Sequence, residues 1–109
     1  MERVYDPRHR VHGHVEDGVV YDRHRRPMGY AVGSAIYDMN HAPLAYMDGG
    51  TVYSAAGFPM GYYDNYNLYD LGGRHLGYGN QGWNGLLGTV LLLGLLGGGF
   101  GWNWGWGFW

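Results

Sequence analysis

The sequence predicts an all-β fold: five 16-residue β-hairpin repeats in a ring-like or stacked meander, followed by a C-terminal hydrophobic helix or membrane segment. Three observations carry this reading. Tyrosine recurs every sixteen residues, at Tyr5, Tyr21, Tyr37, Tyr53 and Tyr69. Glycine supplies 22 of 109 residues, which disfavours a helical domain because each interior Gly costs about 1 kcal/mol relative to Ala. All sixteen charged residues lie between Glu2 and Arg74, so the last 35 residues carry none. The mean hydropathy of −0.32 therefore averages two unlike segments: a repeat body over residues 1–82 and a Gly/Trp-rich tail over residues 83–109.

The repeat gives each strand its reason. Val4, Val20, Ile36, Val52 and Leu68 precede the five tyrosines, and Asp6, Asp22, Asp38, Ser54 and Asp70 follow them. β-Branched and aromatic residues at these positions favour a short strand. The Asp opens a turn through its own backbone. A second strand follows, with Pro27, Pro43 and Pro59 leading the middle copies. Eight residues after each Tyr comes a small residue (Gly13, Gly29, Ala45, Gly61, Gly77), then an aromatic-type one (His14, Tyr30, Tyr46, Tyr62, Tyr78). Gly33-Ser34 and Asp48-Gly49-Gly50 mark the return turn. Such units cannot bury a face alone, so neighbours must stack or close. A strand position without Cβ admits a flat ring or another backbone. The expected core is thus the tyrosine ladder, each ring packed over a neighbour's small residue, with hydroxyls at the rim.

The best copies are Val20-Tyr21-Asp22 with Pro27-Met28-Gly29-Tyr30, Ile36-Tyr37-Asp38 with Pro43-Leu44-Ala45-Tyr46, and Val52-Tyr53-Ser54 with Pro59-Met60-Gly61-Tyr62. This pattern resembles the bacterial four-fold β-flower domain family, over residues 4–79. The resemblance implies hairpins arranged around a pseudo-symmetry axis. It supplies no catalytic residues.

The tail reads as a membrane or assembly segment. Asn84 to Gly101 is an eighteen-residue uncharged stretch, about 27 Å as a helix, near the minimum for spanning. Its leucines are Leu86, Leu87, Leu91, Leu92, Leu93, Leu95 and Leu96. Trp83 on one side and Trp102, Trp104, Trp106 and Trp109 on the other bracket it like interfacial aromatic belts. The first residues hold no apolar run of the signal-peptide type, which places the repeat body in the cytoplasm of a membrane-associated protein. Deleting residues 83–109 is expected to leave a soluble body.

Composition excludes several chemistries. With no Cys there is no disulfide framework, thiol catalysis or cysteine zinc site. A net charge of −2 argues against nucleic acid as a partner. His9, His12 and His14 are dense enough to suggest a metal, but Arg8 and Arg10 repel a cation, so no metal and no cofactor is expected. The evenly spaced Asp column lacks the unequal carboxylate pair of acid–base catalysis. Arg23-His24-Arg25-Arg26 is a basic turn able to touch lipid headgroups or an acidic partner. These readings converge on a non-enzymatic structural or scaffold subunit: a homo-oligomer or part of a larger complex, in contact with membrane lipid through its tail. Alternatives are an accessory subunit of a membrane or redox complex, its tails forming a lipid- or quinone-accessible sleeve, and a self-assembling filament.

Overall fold

A computed structural model describes residues 1–80 and 82–101. Ten antiparallel strands close into a barrel in simple up-and-down order. They are β1 (Glu2–Tyr5), β2 (Val11–Glu16), β3 (Val19–Asp22), β4 (Pro27–Val32), β5 (Ala35–Tyr37), β6 (Pro43–Asp48), β7 (Thr51–Ser54), β8 (Pro59–Asp64), β9 (Asn67–Asp70) and β10 (His75–Gly79). Each 16-residue repeat is one hairpin, or petal, and five petals complete the ring. β1 pairs with β10 through Val4↔Gly79 and Tyr5↔Tyr78. Closure occurs within one chain and leaves no unpaired edge among these strands, so edge-to-edge filament growth has no edge to use.

Strand alternation decides which residues face inward. Val4, Val20, Ile36, Val52 and Leu68 are fully buried inside the barrel. Their neighbours Tyr5, Tyr21, Tyr37, Tyr53 and Tyr69 therefore point out, and are half-buried. The tyrosine ladder is thus an outer belt and not the core. Its residues are cross-strand neighbours between successive petals: Tyr5↔Tyr78, His14↔Tyr21, Tyr30↔Tyr37, Tyr46↔Tyr53 and Tyr62↔Tyr69. Tyr5–Tyr78, His14–Tyr21 and Tyr46–Tyr53 are stacked, with centroids 5.1, 4.9 and 5.2 Å apart.

One β-bulge recurs in every petal. Val4 pairs with Gly13 but Tyr5 with Val11, which leaves His12 as the extra residue. Met28, Leu44, Met60 and Leu76 occupy the same place in the other petals. A bulge re-aims the strand. Consecutive residues can then face inward: Met60 with Gly61, and Leu76 with Gly77, are buried, and Met28 and Leu44 pack against the core.

The space inside is filled by the C-terminal segment. Helix α1 (Trp83–Thr89) continues as a π-helical stretch over Val90–Leu95. Leu86, Leu87, Val90, Leu91 and Leu95 join the strand residues in one core cluster, closed by Phe100. The membrane-spanning helix expected over residues 84–101 is therefore replaced by an internal plug. Thirteen residues of helix are about 20 Å long, and no helix among the described residues is long and apolar enough to cross a membrane. Leu92 and Leu93 are half-buried and Leu96 is exposed. Trp102, Trp104, Trp106 and Trp109 lie outside the described residues.

The glycine at the small-residue position in four of the five petals admits the plug. A Cβ on Gly13 would stand 2.6 Å from Leu92 Cδ1, and one on Gly29 2.8 Å from Leu91 Cδ2. On Gly61 it would stand 2.7 Å from Phe100 Cε1. The approaching groups are plug side chains and the carbonyls of adjacent tyrosines, not tyrosine rings. Gly79 and Gly85 bring strand β10 and helix α1 into direct backbone contact.

Candidate functional site at the Asp-turn rim

The up-and-down order sends alternate turns to opposite ends of the barrel. The Asp turns (6–10, 22–26, 38–42, 54–58, 70–74) share one rim, and the two-residue return turns share the other. The plug enters at the return-turn rim, where Trp83 Nε1 donates to the Gly33 carbonyl at 2.8 Å. This fixes Trp83 to the barrel, against the Tyr63 ring. The plug leaves at the Asp-turn rim, where Arg74 Nη2 donates to the Gly99 carbonyl at 3.4 Å.

Each Asp turn is built the same way. Asp6 Oδ1 accepts from the Arg8 and Arg10 amides at 2.9 and 3.0 Å. Asp22 does so from His24 and Arg26, and Asp38 from Asn40 and Ala42. Ser54 repeats the longer of these bonds with its hydroxyl, accepting from Phe58. The carboxylates are thus spent on the turn itself. Three are further paired to the arginine four residues on: Asp6–Arg10 at 2.7 Å, Asp22–Arg26 at 2.8 Å and Asp70–Arg74 at 3.3 Å.

Burial pushes the Asp6 carboxyl up. Hydrogen bonds from the Arg10 amide, the His12 ring, the Arg10 guanidinium and the Arg8 amide outweigh it and hold Asp6 well below the usual carboxylate range. Asp22 is pushed up by burial and drawn down further by the Arg26 and His24 amides and the Arg26 guanidinium. The three histidines of the first petal are parted. His9 Nδ1 is hydrogen bonded to the Tyr78 hydroxyl at 2.7 Å. His12 Nε2 lies 3.0 Å from Asp6 Oδ2, and His14 stacks on Tyr21. No group of three or more potential metal ligands forms among the described residues.

A cleft of about 410 Å³ opens on this rim where petals one and two meet the plug. Its walls are His12, Asp22, Arg23, His24 and Arg26, and its apolar floor is Met28, Leu92 and Leu96. His12, in its wall, holds the bulge position that apolar residues fill in the other four petals, and turns toward Asp6. The Arg23–Arg26 turn was legible in the sequence. The cleft floor was not, because it joins residues of β4 to residues of the plug.

The family model for the 5-fold beta-flower protein matches residues 1–91. The chain belongs to this family. Five petals, not four, is the count that the β-flower repeat takes here. The match extends beyond β10 through α1, so it includes much of the plug as well as the wall of the flower. A comparison with curated proteins and one with solved structures each gave no match.

Proposed function

We propose that this β-flower protein is a non-enzymatic structural subunit, a rigid barrel held at a membrane surface on which copies or partner proteins assemble. The observation that carries the reading is the plug. Leu86, Leu87, Val90, Leu91 and Leu95 fill the barrel, so the interior is committed to stability, and the outer belt and rims remain for contact. The spending of the Asp column on turn geometry agrees with this. Four of the seven leucines that would line a quinone-accessible sleeve, Leu86, Leu87, Leu91 and Leu95, are buried inside the barrel, which favours the scaffold reading over the redox-accessory one.

Native mass measurement of the full-length chain, extracted from membranes in mild detergent with its co-purifying chains identified, tests the proposal. The expected result is recovery in the membrane fraction as a particle heavier than one chain. Recovery as a free monomer in the soluble fraction would overturn it.

A further inference from the structure

The charges of the barrel are segregated by end. The chain has seven arginines and no lysine, and every arginine except Arg3 lies on the Asp-turn rim. The acids there are the four aspartates of the turns. The other five acids, Glu2, Glu16, Asp17, Asp48 and Asp64, lie toward the return-turn rim. A chain with a net charge of −2 thus presents one cationic end.

Within that end the positive groups are concentrated on petals one and two. Arg10 and Arg26 are held by their aspartates. Arg8, Arg23 and Arg25 are exposed at the turn tips, and among the described residues no carboxylate lies within ion-pair distance of them. The other three petals carry apolar residues at the same level: Met39 is 40%, Phe58 61% and Leu71 48% exposed. Leu96, at the mouth of the plug, is 37% exposed. Solvent-facing Phe and Leu at adjacent turn tips, beside unpaired guanidiniums, match the two layers of a lipid interface. The chain also leaves the barrel at this rim, and the eight residues after Gly101 include four tryptophans and no charge, a composition that favours the headgroup region.

We propose that the Asp-turn rim is the face that docks on an anionic lipid surface: Arg8, Arg23 and Arg25 bind headgroup phosphates, and Met39, Phe58 and Leu71 enter the acyl boundary. This rests on the membrane association proposed above and specifies its mode, peripheral and oriented, with the acidic rim turned away. The cleft between petals one and two takes a single headgroup, its phosphate against Arg23 and its apolar part against Met28 and Leu96.

Flotation of the full-length protein with vesicles of phosphatidylcholine, with and without phosphatidylglycerol, tests it. The expected result is binding to the anionic vesicles that weakens as salt is raised. The triple variant Arg8→Gln, Arg23→Gln, Arg25→Gln is expected to bind on the order of 100-fold more weakly, from roughly a five-fold contribution per arginine. Asp48→Asn with Asp64→Asn, on the opposite rim, should leave binding unchanged. Equal flotation with neutral vesicles, or a triple variant that binds like the wild type, would overturn the rim while leaving membrane association standing. Absence of flotation with both vesicle types would overturn both. Binding to duplex DNA as tight as to anionic vesicles, at the same salt, would overturn the assignment to lipid.

Discussion

The Glu2 carboxylate accepts a 2.7 Å hydrogen bond from the amide of Gly85, across 83 residues of sequence. It ties the first strand to the first turn of the plug, where Gly82 provides no side-chain cap. A carboxylate at a helix N-terminus satisfies an orphan amide and complements the helix dipole.

Glu2→Ala should therefore destabilise the fold by about 1 kcal/mol, read as a lower urea midpoint with an unchanged slope. Glu2→Gln should lose less, since its amide oxygen still accepts. Equal stability of all three proteins would show that the bond contributes nothing.

The plug makes a sharper prediction about truncation. A chain ending at residue 101 retains every core residue described and should melt cooperatively, close to the full-length protein. A chain ending at residue 82 loses Leu86, Leu87, Val90, Leu91 and Leu95 together and should not form a closed barrel. Near-UV circular dichroism separates the outcomes, since the tyrosine pairs give a signal only when fixed. A cooperative, soluble 1–82 fragment would mean that the wall stands without its filling.

Packing at the glycines can be tested one side chain at a time. A Cβ on Gly88 would lie 2.7 Å from Val15 Cγ2 and 2.9 Å from Val4 Cγ2. Gly88→Ala should cost about 1–3 kcal/mol through overpacking. Leu91→Ala, which opens a cavity at the same core, should cost about 2–5 kcal/mol. Gly33→Asn is the contrast: its Cβ meets nothing within 4 Å, at φ 61°, where Asn is tolerated. Thermal melts in which Gly33→Asn falls as far as Gly88→Ala would contradict this packing.

Acid should act through Asp6 and Asp22. Both carboxyls titrate lower in the folded state than their ordinary value. The folded state therefore binds fewer protons, and their contribution is complete above about pH 4. It declines as pH falls through the folded-state values. Asp6→Asn should be less stable than the wild type at neutral pH, with a gap that narrows below about pH 4. A gap of constant size down to about pH 2 would remove the carboxylate charge from the explanation.

Much of this architecture is legible in the sequence, though its faces are not. The sixteen-residue Tyr period fixes the number and length of the petals. It does not say which neighbour of the Tyr points inward, because Val4 and Tyr5 suit a strand interior equally well. Packing against the plug decides, and the bulge that adds a second inward residue leaves only one trace, an apolar residue between Pro and a small residue, as at Met28, Leu44 and Met60. The Leu/Gly run of the tail is ambiguous for a related reason. An uncharged helix face satisfies lipid and a protein interior alike, and only the glycines facing it (Gly13, Gly29, Gly61, Gly77) distinguish the two. The basic cleft joins one exception to the repeat, His12, to Leu92 and Leu96 of the plug, a juxtaposition that appears only once the plug is in place.

The order of wall and plug along the chain has a consequence for biosynthesis. A chain emerges from the ribosome N-terminus first, so all ten strands are made before the helix that fills them. Tyr5 also waits for Tyr78 to close the ring, a pairing of long sequence separation and so intrinsically slow. Nascent petals must pass through a stage in which Val4, Val20, Ile36 and Val52 have no interior to enter. The apolar residues of the wall therefore gain their interior only when Leu86, Leu87, Val90, Leu91 and Leu95 have been made and have docked.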